Sequence, residues 1–204
     1  MASVRTMELV GNLSPEEPLL VVAVHLEAEH LHTDHPILVT GVGKVAASTS
    51  LLSTLALTHR DRWPSRVLNV GTAGALRDGM LGTHVVGEVH QHDLDGRAIA
   101  ALCGIDPTPP LSLGDGPVLA TGDAFISDPA ERLRLGGNAA LCDMEGYAVA
   151  AAAKQVGLDV HLIKHVSDDA NEGAGRTWVD SVASCSEALG LWLKSDQGRS
   201  LLGG

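Results

Sequence analysis

Residues 143–169, DMEGYAVAAAAKQVGLDVHLIKHVSDD, restrict what this chain can fold into more than any other stretch. Tyr147 to Val156 is apolar and built almost wholly of helix-favouring residues. Gly157 is placed to end that helix, and His161 to Val166 is a short run with β-branched residues. A helix that returns to a buried strand is the unit of a layered α/β protein. Acids bracket the unit. Asp143 and Glu145 begin the helix, where the macrodipole tolerates negative charge. Ser167, Asp168 and Asp169 follow the strand, where open α/β sheets place their ligand crevice. Taken singly, each acid also reads as a helix cap or a solvated turn residue.

Composition bounds the partners. The chain has 204 residues, 45% of them hydrophobic, and a mean hydropathy of +0.14, which excludes a disordered polymer and allows a sizeable core. With one Phe and one Tyr, that core must be built from Leu, Val and Ala. The net charge of -11 opposes a nucleic-acid backbone or an anionic membrane and leaves a small or neutral ligand as the easier partner. Cys103, Cys142 and Cys185 are widely spaced and contain no CxxC pair, so they read as reduced thiols. No leader pattern or apolar span of about 20 residues is evident, and the expectation is a soluble, cytoplasmic protein.

Residues 1–18 carry Gly11, Pro15 and Pro18 without sustained periodicity and read as a loose lead-in to a single domain over 19–204. Leu19 to Val24 is a buried strand running into a helix that holds Glu27, with Glu29 as the alternative if the register slips. Ile37 to Thr40 is a second strand, followed by the glycine turn GVGKVAAS and a helix to about Leu57. Arg66 to Val70 is a third strand, and GTAGAL after it reads as a turn whose amides and Thr72 hydroxyl face the crevice. Residues 84–95 suggest a strand and a polar loop, and the Pro- and Gly-rich residues 96–117 an irregular connection. Val118 to Asp123 enters ATGDAFISDP, where Phe125 is either core or exposed to a ligand. Asn171 to Arg176 reads as a loop, and Trp178 onward as an amphipathic helix. His25, His30, His32 and His35 form a patch whose spacing matches no helical zinc motif, so no metal site is expected.

The pair DMEGYAVA and HVSDDA resembles the paired signatures of the nucleoside phosphorylase and nucleosidase superfamily, most closely those of the methylthioadenosine/S-adenosylhomocysteine nucleosidases. The resemblance runs from about Leu19 to Ala170 and is weakest over 96–117, which is shorter here. It implies a three-layer α/β/α fold with a central mixed, mostly parallel sheet. It also implies a homodimer and hydrolysis of the N-glycosidic bond of a purine nucleoside without a cofactor.

By the same resemblance, Met144 and Glu145 would hold the ribose, Asp168 would protonate the departing purine and Glu27 would activate water. Phe125 would stack on the base, the Ile126 backbone would bond its edge, Trp178 would close over it, and Thr72, Ser167 and Lys164 would support the site. For Asp168 to deliver a proton near neutral pH it needs desolvation or a negative neighbour, which Asp169 could supply. Lys164 stands where the family carries an Arg near the water. Asn69 stands where phosphorylases carry a phosphate-holding Arg, which favours water as nucleophile. The alternatives are a phosphorylase, a futalosine hydrolase of the same fold, or a nucleoside- or metal-binding protein without turnover.

Overall fold

The computed structural model describes residues 7–170 and 174–203, with side chains over 7–170 and 181–203. Its strands, in chain order, are β1 (Glu8–Val10), β2 (Leu19–Val22), β3 (Ile37–Val39), β4 (Arg66–Ala75), β5 (Thr83–Val85), β6 (Glu88–Gln91), β7 (Leu111–Ser112), β8 (Val118–Thr121), β9 (Leu141–Asp143) and β10 (Asp159–Asp168). The helices are α1 (His25–Ala28), α2 (Lys44–Ala56), α3 (Gly96–Cys103), α4 (Pro129–Gly136), α5 (Gly146–Gln155), α6 (Ala174–Leu193) and α7 (Asp196–Leu202).

Strand β4 is the axis of a mixed sheet. Along one edge it pairs in parallel with β10, from Arg66 opposite Asp159 to Gly74 opposite Asp168. Its other edge is shared, with β2 parallel to its first half and β9 antiparallel at Gly74 and Ala75. Parallel pairs β2–β3, β8–β9 and β6–β8 extend the sheet, while β1, β5 and β7 add antiparallel pairings.

Side-chain alternation decides what covers each face. Leu19, Val21 and Val67 pack with Ala47, Leu51 and Leu55 of α2 and Val149 of α5. Leu20, Val22, Leu68, Val70 and Ile163 pack on the opposite side with Leu189 and Leu193 of α6. The result is three layers, helix on sheet on helix, with cores of Leu, Val and Ala as the composition requires.

Four local features depart from the sequence reading. Glu8–Val10, inside the expected lead-in, pairs antiparallel with β3. GTAGAL is mostly not a turn, because β4 continues through it to Ala75. The 96–117 segment contains helix α3, whose N-cap Asp95 accepts from the Ala98 amide at 2.9 Å and whose C-cap Gly104 is left-handed; neighbouring prolines obscured the short GRAIAALC run. Helix α6 begins at Ala174, within the expected loop.

Leu68 is fully buried in β4, packed between the sheet and α6, so Leu68→Ala is expected to lower the unfolding free energy by about 2–5 kcal/mol. Urea titration checks this, and a loss below about 1 kcal/mol would contradict that packing.

Candidate active site

The carboxyl ends of β2, β8, β9 and β10 surround one cavity, as the crevice rule for open α/β sheets requires. Glu27, Glu145 and Asp168 all line it. Three acids separated by up to 141 positions (168 minus 27) therefore meet in one place.

Glu27 sits in the one-turn helix α1 and is buried, whereas Glu29 is exposed. Its Oε2 accepts from the Ala23 amide at 3.0 Å and the Val24 amide at 3.4 Å. The Val24 bond is the side-chain arm of a helix cap, so the acid serves both the local turn and the cavity. Its Oε1 accepts from the Thr72 amide at 2.8 Å and the Thr72 hydroxyl at 3.0 Å. A Cβ on Gly71 would stand 2.9 Å from that oxygen, so glycine in β4 is what lets the carboxyl reach the strand. The Ser186 hydroxyl of α6 donates to the Glu27 carbonyl at 2.9 Å and ties the turn to the helix layer.

Asp168 is aimed by an irregularity. The β4–β10 register shifts between Val166 and Asp168, a bulge that lets Ser167 and Asp168 both line the cavity. Ser167 Oγ donates to Asp168 Oδ2 at 2.7 Å, and the Ala170 amide donates to Oδ1 at 2.8 Å. Ala170 is fully buried with φ of 46°, left-handed for a residue with a Cβ. Gly74 gives Asp168 the room Gly71 gives Glu27, because a Cβ there would lie 3.1 Å from Oδ1.

Glu145 caps α5 by position and is buried, with Oε1 accepting from the Gly43 amide at 2.8 Å. Behind it lies a group the sequence reading used only as a helix start. Asp143 accepts from Lys164 Nζ at 2.8 Å, the Thr121 hydroxyl at 2.6 Å and the Gly146 amide at 2.8 Å. Lys164 is fully buried and is not among the cavity-lining residues, so it supports the site from behind. Burial opposes the ammonium charge, but Asp143, Glu145 and Glu27 outweigh it and hold Lys164 above the usual lysine range. Burial, then the charge of Asp143, pushes Glu145 up to about 8, against the opposing pull of Lys164.

Met144, Phe125 and Ile126 line the same cavity. Phe125 is 47% exposed, so it is not a core residue and its ring is available to a flat ligand. Cys142 also lines the cavity, and burial with the charge of Asp168 pushes its thiol up to about 12, which keeps it protonated and poorly nucleophilic. The Trp178 side chain lies outside the described residues. Asn69 is buried within β4, where Nδ2 donates to the Val21 carbonyl at 3.0 Å, and it is not a cavity-lining residue.

The model of the phosphorylase superfamily matches residues 115–190. A 5′-methylthioadenosine/S-adenosylhomocysteine nucleosidase from Shewanella denitrificans is 30% identical over 193 residues, covering 80% of this chain and 81% of the relative. The chain belongs to the 5′-methylthioadenosine/S-adenosylhomocysteine nucleosidase family. Alignments to family members in other Shewanella span 65% of the relative's length in one case and 86% in another. The fold is similar to two solved structures from Helicobacter pylori. A 5′-methylthioadenosine/S-adenosylhomocysteine nucleosidase with butyl-thio-DADMe-Immucillin-A has a TM-score of 0.73 at 19% identity, covering 87% of this chain and 95% of that one. A futalosine hydrolase mutant has a TM-score of 0.73 at 18% identity, covering 87% and 96%.

In this family member the histidine patch is dispersed. His25 Nε2 is 3.4 Å from Glu8 Oε2, and the His30 and His32 rings are 6.0 Å apart. Among the described residues no group of three or more His, Cys, Asp or Glu is placed to hold a metal ion. The residues that sequence reasoning missed are Asp143, as the acid behind Glu145, and the Gly43 amide in front of it. The glycines of GVGK were the available signal.

The raised Glu145 predicts a pH effect with a definite sign. Between its ordinary 4.5 and about 8 the folded protein keeps a proton that the unfolded chain gives up, so stability falls as pH rises through that window. Measured from pH 5 to 8, the unfolding free energy of wild type should fall more steeply with rising pH than that of Glu145→Gln, which lacks the titrating carboxyl. Identical slopes would contradict the burial of this carboxyl.

Proposed function

We propose that the protein hydrolyses the N-glycosidic bond of a purine nucleoside, releasing the free base, with a 5′-modified adenosine such as methylthioadenosine or S-adenosylhomocysteine as substrate. The observation that carries this reading is the convergence of Glu27, Glu145 and Asp168 on one cavity in a member of the nucleosidase family. Cleavage passes through a positively charged ribosyl group, needs a proton on the departing base and needs a directed water, as in other glycoside hydrolysis.

Asp168, held by Ser167 and Ala170 at the bulge, is the acid that supplies the base proton. Glu27 takes the proton of the attacking water. Its oxygens already receive the donors from Ala23, Val24 and Thr72, of which the Thr72 hydroxyl can rotate without breaking a backbone bond and make way for water. Glu145 receives the ribose hydroxyls beside Met144, and positive charge developing on the sugar favours its ionised form. Phe125 stacks on the purine, and the Ile126 backbone bonds its edge. Trp178 is assigned to closure over the base by resemblance.

We further assign a homodimer. Val42 and Phe125, which line the cavity, are 53% and 47% exposed, and Val45 in the first turn of α2 is 76% exposed, apolar surface that a second copy would cover. No described helix is long and apolar enough to cross a membrane. Cys103, Cys142 and Cys185 are free, which suits a reduced cytoplasmic compartment.

Incubation with methylthioadenosine, S-adenosylhomocysteine, 5′-deoxyadenosine, inosine and futalosine, with and without phosphate, is expected to release adenine from the adenosine derivatives without phosphate. A phosphate requirement would make the protein a phosphorylase, and a preference for futalosine would make it the hydrolase of that nucleoside. Asp168→Asn is expected to lower kcat by at least about a hundredfold with the fold intact by circular dichroism. Unaltered turnover in that variant would remove Asp168 from the acid role.

A further inference from the structure

The start of α2 has no side-chain cap of its own. Its two leading amides are instead given to carboxyl groups from distant elements. Gly43 N–H donates to Glu145 Oε1 at 2.8 Å, and Lys44 N–H donates to Asp123 Oδ1 at 2.8 Å. Gly43 has φ of 94°, and a Cβ there would stand 3.1 Å from Asp123 Oδ1, so the turn demands glycine on two counts.

Lys44 then folds its side chain back over the same acids. Its ammonium hydrogen-bonds Asp93 Oδ1 and lies 3.7 Å from Asp123 Oδ2, and Asp93 Oδ2 accepts from the Asp123 amide at 2.8 Å. The contacts close a ring joining the start of α2 to the loops after β6 and β8. The loop after β8 continues directly into Ala124, Phe125 and Ile126, which line the cavity.

A solitary ion pair at a surface would carry little weight. Here the Lys44 and Asp93 side chains are 17% and 24% exposed, and both carboxyl groups also hold backbone amides, so the charges bear on loop geometry. The charge pattern explains why Lys44 is needed. Without its ammonium, Asp93 and Asp123 would face each other uncompensated, and repulsion would draw Asp123 off the Lys44 amide.

We propose that Lys44, Asp93 and Asp123 form a positioning latch that holds the Gly43 amide against Glu145 and so fixes the carboxyl that receives the ribose hydroxyls. The role in ribose binding rests on the nucleosidase reading, whereas the contact between Gly43 and Glu145 does not. None of the three residues lines the cavity that holds Glu27, Glu145 and Asp168, so the latch acts through Glu145.

The test uses Lys44→Met, which keeps the stem and removes the charge, and Asp93→Asn, which keeps the shape and leaves Lys44 without its closest counterion. Hydrogen exchange of the Gly43 amide, followed by NMR, should accelerate by about tenfold in both variants, the scale of losing one buried hydrogen bond. The ratio of kcat/KM for methylthioadenosine over its 3′-deoxy analogue should fall by a similar factor, and Lys44→Arg should restore part of it. A purely structural role would lower turnover of both nucleosides equally and leave the ratio at the wild-type value, which overturns the proposal. Unchanged Gly43 exchange overturns it as well. Should the wild type release base from neither nucleoside, the nucleosidase reading fails separately, and the exchange rate alone decides whether the latch exists.

Discussion

How closely two carboxyl groups can approach strand β4 governs the site. Gly71 and Gly74 present bare backbone where Glu27 and Asp168 press against the strand, and a Cβ at either would stand 2.9 Å or 3.1 Å from a carboxylate oxygen. Native packing leaves no slack for such an atom. The parallel pairing of β4 with β10 delivers Asp168 to Gly74, and the shift at Ser167 turns it toward the cavity. The end of β2 delivers Glu27 from the other edge. Both hydrophobic cores serve to hold β4 still between helices on its two faces.

Charge is the second constraint. Glu27, Asp143 and Glu145 are buried within one region that holds the single cation Lys164 among the described residues. Asp143 and Lys164 neutralise each other at 2.8 Å, and such a pair is costly to break once desolvated. With Glu145 holding its proton up to about 8, the surplus negative charge of the region rests on Glu27. An anionic pocket welcomes a positively charged sugar and repels phosphate, so the same electrostatics favour an oxocarbenium-like state and disfavour phosphorolysis. The buried Asn69 adds no cation to oppose that.

Much of this was legible in the chain, for physical reasons that differ by element. Tyr147 to Val156 announces a helix by composition, and the two acid-bearing signatures flank it at a fixed spacing. Their meeting with Glu27 was expected from the family resemblance of AVHLEAEHL together with the rule that ligands gather at the carboxyl ends of strands. Burial of Glu27 against exposure of Glu29 was less accessible, since both lie in the same short helical turn. GTAGAL read as a turn because glycine usually signals one, whereas here it signals close approach. Helix α3 was hidden by prolines on its C-terminal side, and β1 by its brevity. Lys164 could be matched to a family position, but its burial against Asp143 depends on Thr121, Gly146 and Asp143 arriving from separate elements, which no local pattern records.

The most direct measurement is a crystal structure with an adenosine analogue whose ribose is replaced by a cationic ring. The account predicts Glu145 on the ring hydroxyls, Asp168 within hydrogen-bonding distance of the base and Glu27 on a water facing the ring carbon. A ligand seated elsewhere, or one that leaves any of these three acids out of reach, would contradict it.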